Sequence, residues 1–136
     1  MRRISLIIVH CSGVRPRQQS SAKQIDRWHR QLGWNGIGYH YVIRRNGMVE
    51  RGRPETVVGA HCRGHNLHSI GVCYEGGLDA GGKPCDTRTE AQKQSMVQLL
   101  EELRGRYPQA IILGHRQLCR TKECPCFDAA REYKGI

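Results

Sequence analysis

Two segments carry the same helix-start signature, and each stands among short apolar runs. Ser21-Ala22-Lys23-Gln24 and Thr89-Glu90-Ala91-Gln92 both place a hydroxyl three residues before a glutamine. At that spacing side chains and backbone N–H groups cap one another. After the first, Ile25, Trp28, His29 and Leu32 recur at i, i+3, i+4 and i+7, which predicts an amphipathic helix stopped by Gly33 and Asn35-Gly36. After the second, Met96, Leu99, Leu100 and Leu103 mark the buried stripe of a helix ending before Pro108. The β-branched run Ile4–Val9 predicts a buried strand with His10 at its C-terminal end. Tyr39–Arg44 and Met48–Arg51 flank Asn46-Gly47, the pair that suits a tight primed turn of a hairpin. Ile70–Tyr74 and Ala110–Leu113 are further strands, the latter delivering His115, and Asp128 caps a last short helix. The order β-α-β-β-β-α-β-α predicts one α/β domain, a central mixed β-sheet flanked by α-helices.

A chain of 136 residues has room for one core and no second module, so residues 1–136 are expected to act as one unit. Its longest apolar stretch, Ile4–Val9, is too short for a membrane span and runs into His10-Cys11-Ser12 instead of a cleavage site. The expectation is therefore cytoplasmic synthesis, where thiols stay reduced. Seven cysteines, an odd number, also exclude a complete disulfide framework. With seven histidines alongside, metal binding leads the remaining explanations. The net charge of +10 admits nucleic acid or an anionic polymer as partner. The basic residues are scattered, however, and 6% aromatics is thin for stacking bases, so no specific nucleic acid is expected.

His10 and His115 both follow apolar strands, and strand ends on one edge of a sheet lie close in space. Cys124 follows His115 by nine residues, enough chain to fold back over a metal. Three protein ligands would leave the open fourth position of a catalytic zinc site. Strand-end histidines are more commonly structural, and a closed site of His115, Cys119, Cys124 and Cys126 is a rival that would leave no position for chemistry.

Several blocks occur together in one order: Ile7-Ile8-Val9-His10, Gly38-Tyr39-His40-Tyr41, Val58-Gly59-Ala60-His61, Asn66 with Ser69-Ile70-Gly71-Val72, Gly114-His115 and Lys122-Glu123-Cys124-Pro125. From about residue 4 to Asp128 the chain resembles the zinc-dependent N-acetylmuramoyl-L-alanine amidases, the family of small phage lysozymes and peptidoglycan recognition proteins. The resemblance implies that His10, His115 and Cys124 hold Zn2+, and that Tyr39 and Lys122 flank the metal and assist catalysis. His61 resembles a histidine that faces the substrate groove in that family, with a purely structural role as the alternative. Asn66 is a candidate to bond glycan or peptide, although an Asn before a strand more commonly pins its own loop backbone. A His2Cys set suits zinc better than magnesium or calcium. Zinc supplies an activated water and a polarised carbonyl, while a phenol and an ammonium suit a developing oxyanion.

The implied reaction is hydrolysis of the amide bond between N-acetylmuramic acid and L-alanine in peptidoglycan. Cytoplasmic synthesis without a wall-binding module fits a monomeric phage or prophage endolysin that reaches the wall through a pore-forming lysis partner. The alternatives are a non-catalytic peptidoglycan-binding module of the same fold, against which Cys124 argues, and a cytoplasmic muropeptide-recycling amidase. His40, next to Tyr39 on a strand, is expected on the opposite face.

Overall fold

The computed structural model describes residues 2–136. The apolar N-terminal run forms β1, Leu6–Cys11, two residues later than its composition suggests, so that His10 lies inside the strand. The remaining strands are β2 (Tyr41–Ile43), β3 (Val49–Arg51), β4 (Ser69–Tyr74) and β5 (Ile111–Gly114). They form one sheet in the order β3-β2-β4-β1-β5. β1 runs parallel to β4 and β5, β2 runs parallel to β4, and β3 is antiparallel to β2. Helices α1 (Ala22–Gln31), α2 (Glu90–Arg106), α3 (His115–Leu118) and α4 (Ala129–Glu132) complete the mixed α/β architecture. No helix among the described residues is long and apolar enough to cross a membrane.

Both capping boxes form. In the second, Gln92 also donates its buried amide to the carbonyls of Ile43 and Glu75 at 3.1 and 2.9 Å, tying the start of α2 to the ends of β2 and β4. Met96, Leu99, Leu100 and Leu103 of α2 then bury against Ile7, Val9, Ile70 and Val72. Each such side chain contributes about 1.5–3 kcal/mol relative to exposure. Alternation along β1 sends His10 to the other face, where α1 packs through Ile25 against Val42 and Cys73.

Three local expectations need correction. Leu32 is 66% exposed, because α1 ends at Gln31 and the chain turns away at Gly33, where φ is +91°. The hairpin turn is not primed. Gly47 alone supplies positive φ (+89°), and Asn46 instead accepts the Met48 N–H through its side chain at 2.9 Å. The segment after β5 starts as α3, so His115, expected at a strand end, opens a short helix.

A buried arginine fixes the C-terminal layer. Arg88 pairs with Asp86 and Glu132, bonds the Tyr133 hydroxyl at 2.7 Å and lies 3.4 Å over the Phe127 ring. These contacts hold the 124–133 segment against the core, and with it the loop that carries Cys124.

Candidate active site

His10, His115 and Cys124 converge from β1, the first residue of α3 and the loop that follows. Their ligand atoms all lie within 4.8 Å of one another, and no other such group of three forms among the described residues. Because β5 pairs with β1, His115 is carried to within 4.8 Å of His10, ring centroid to ring centroid. Cys124 is held from three sides. Arg116 donates to its carbonyl at 2.8 Å, Tyr74 donates to the adjacent Pro125 carbonyl at 2.7 Å, and the Cys11 N–H points at its sulfur at 3.2 Å. These supports come from residues that sequence reasoning did not single out. A tyrosine closing a buried strand gives no sign of the loop that it will meet.

Burial, with His61 and His115 close by, holds the His10 imidazole well below its ordinary basicity. Burial and the Lys122 charge do the same, less strongly, for His115. Both rings therefore keep a lone pair free at neutral pH. Cys124 Sγ lies 3.8 Å from His10 Nδ1. With Zn–N near 2.1 Å and Zn–S near 2.3 Å, tetrahedral ligation needs a separation of about 3.6 Å. Nitrogen, nitrogen and sulfur at this spacing fit a zinc ion with one position open.

Tyr39 lies beside the cluster, its ring 5.1 Å from that of His10. Burial, followed by the thiols of Cys73, Cys124 and Cys11, raises its phenol well above the ordinary value, so it remains a proton donor. Lys122 is exposed on the loop between His115 and Cys124. Tyr39, Asn66 and Arg63 border a groove of about 340 Å3 beside the cluster, together with His29, Trp34 and His61. A larger cavity of about 530 Å3 lies between β2, β3 and α2 and includes none of the candidate residues.

Asn66 and His61 are engaged within the protein. Asn66 Oδ1 accepts the backbone N–H groups of His61 and Cys62, both at 2.9 Å. His61 is buried with its Nδ1 2.8 Å from His10 Nε2 and its Nε2 3.2 Å from Ser69 Oγ. Burial, then the neighbouring His40 and His115, lowers its pKa to about 3. His40 accepts the Gly71 N–H at 3.0 Å and meets the Val57 carbonyl at 2.8 Å, away from the cluster. The closed four-ligand site does not form. Cys126 Sγ sits against Cys11 Sγ and the Gly77 carbonyl, and Cys119 Sγ lies 3.2 Å from Thr121 Oγ1.

Residues 1–127 match the family model described as N-acetylmuramoyl-L-alanine amidase. The chain belongs to this amidase family. Among curated relatives, it is 42% identical over 130 residues to the endolysin of Enterobacteria phage K11, covering 96% of this chain and 85% of that one. Among solved structures, it resembles the endolysin N-acetylmuramoyl-L-alanine amidase LysCS of Clostridium intestinale. That match has TM-score 0.79 and 32% identity, and covers 91% of this chain and 76% of the other. It also resembles a variant of Drosophila PGRP-LB solved in complex with tracheal cytotoxin, with TM-score 0.78 and 25% identity over 99% of this chain and 83% of that one.

Proposed function

We propose that this amidase hydrolyses the bond between the lactyl group of N-acetylmuramic acid and the L-alanine of the peptidoglycan stem peptide, using zinc held by His10, His115 and Cys124. The observation that carries the proposal is the convergence of those three ligand atoms beside an open groove, in a chain of this family. Zinc in that position supplies Lewis-acid polarisation of the scissile carbonyl and a nucleophilic water at neutral pH. The protein's own part is positioning and charge. Tyr39, kept protonated by burial, offers its hydroxyl to the oxygen on which negative charge grows. Lys122, on the loop that also bears Cys124, brings an ammonium to the same side. The groove of about 340 Å3 bordered by Trp34, Arg63 and Asn66 is where the first residues of a stem peptide would sit.

The biological setting follows from the same reading. An endolysin role would have this catalytic unit act as a monomer that starts in the cytoplasm and reaches the wall through a pore-forming partner at lysis. The +10 charge favours general attraction to anionic wall polymers. Purified protein supplied with zinc is expected to solubilise stem peptides from sacculi, and mass analysis should find free L-alanine amino termini with intact glycan strands. Cleavage within the glycan, or binding without release, would overturn the proposal.

A further inference from the structure

We propose that His61 is a positioning residue whose Nδ1 accepts the Nε2 proton of His10, fixing the His10 tautomer that presents Nδ1 to the metal; this rests on the metal-holding reading above. His10 turns Nδ1 toward Cys124 Sγ, 3.8 Å away, and Nε2 toward His61 Nδ1, 2.8 Å away. A neutral imidazole carries one N–H and one lone pair. If His10 gives the Nδ1 lone pair to a metal, its proton is on Nε2 and needs an acceptor. His61 Nδ1 is that acceptor, which places the His61 proton on Nε2, facing Ser69 Oγ at 3.2 Å. The opposite direction of donation would put the His10 proton on Nδ1 and close that nitrogen to the metal. One assignment satisfies the whole line from the cluster to Ser69.

The surroundings hold the His61 ring in place from several directions. A Cβ on Gly71 would stand 2.6 Å from His61 Cγ, and one on Gly59 would stand 2.7 Å from His61 Cδ2, so the ring fits only against bare backbone at both glycines. Asn66 pins the chain at His61 and Cys62, and Ala60 N–H bonds the Gly38 carbonyl at 3.0 Å. Only 9% of His61 is exposed and both of its nitrogens are engaged, leaving no free donor or acceptor for a ligand in the groove. His61 acts through His10, and not on the substrate as its motif suggests. Partners of this kind commonly change metal affinity by about 10- to 100-fold when removed.

The test measures zinc affinity by competition with a chromophoric chelator. His61→Leu keeps the bulk and loses the acceptor; it is expected to weaken zinc binding by about 10- to 100-fold. His61→Asn places an amide oxygen where Nδ1 stood and should recover most of that loss. Wild-type affinity in His61→Leu, while Cys124→Ser loses the metal, would overturn the role of His61 and leave the metal reading standing. Wild-type affinity in Cys124→Ser would overturn both. If His61→Leu does not fold, long-range 15N NMR of the zinc-loaded wild-type protein decides. The proposal requires protonated Nε2 on both His10 and His61, and a proton on His61 Nδ1 would refute it.

Discussion

Gly71→Ala is the substitution whose effect the geometry specifies most closely. Gly71 pairs with Ile8 on the strand next to His10, and a methyl group there would meet the His61 ring at 2.6–2.8 Å from three of its atoms. Ordinary carbon contacts begin near 3.5 Å, so the ring must withdraw by about 1 Å. The ring cannot swing away freely, because Asn66 fixes its backbone and Gly59 also lies close to its Cδ2 edge. Overpacking of this kind costs about 1–3 kcal/mol. For a chain of 136 residues each kcal/mol lowers Tm by about 3–4 °C, so a drop of about 3–12 °C is expected. A movement of that size would disturb the 2.8 Å His10–His61 contact. A misplacement of about 1 Å at a reacting centre can cost about 100-fold in rate. Thermal unfolding followed by circular dichroism, alongside peptide release from sacculi below the lowered Tm, would measure both. A variant with wild-type Tm and wild-type rate would refute the claim that Gly71 is needed for the seat of His61.

Other outcomes follow from separate parts of the molecule. Tyr39→Phe should retain bound zinc, measured by elemental analysis, and lose about 10²–10³ in kcat on muropeptide substrates. Arg88→Ala leaves Asp86, Glu132 and the Phe127 face without their cation. The carboxylates are partly exposed, so the loss in urea unfolding should fall toward the low end of about 3–5 kcal/mol. For Glu75, burial pushes the carboxyl pKa up, but the N–H groups of Ser20 and Arg45 and the Arg44 guanidinium outweigh it and hold the value below normal. Its stabilisation is complete above the unfolded value of about 4.3 and disappears as pH falls through the lower folded value. Glu75→Gln should therefore flatten the acid limb of a stability–pH curve measured by urea unfolding below that pH.

The residues differ in how far the sequence reveals them. The capped helices were legible because a capping box and a 3.6-residue stripe are local, and Met96 through Leu103 bury as the pattern requires. His10, His115 and Cys124 were legible through motif order, and parallel pairing of β1 with β5 then brings the two histidines together. What local patterns missed depends on distant partners. Arg88 meets Glu132 across 44 positions, Glu55 joins Tyr41, Tyr107 and Arg106, and Tyr74 reaches Pro125 across 51. Asn46-Gly47 suggested a primed turn because both residues tolerate positive φ, yet the Asn46 side chain satisfied the Met48 N–H without it. Asn66 pins its own loop backbone, as an Asn before a strand commonly does, while both it and His61 also border the groove, and the bond from His61 to His10 carries no local sequence signal.

The proposed amidase activity depends on a single metal held by His10, His115 and Cys124. The most direct measurement strips the purified protein with a chelator, restores zinc stepwise, and follows bound zinc and stem-peptide release from sacculi together. The stripped protein is expected to release nothing, and activity should rise in proportion to zinc until one ion is bound per chain. Full activity in the stripped protein, or one zinc bound with no release at any loading, would contradict it.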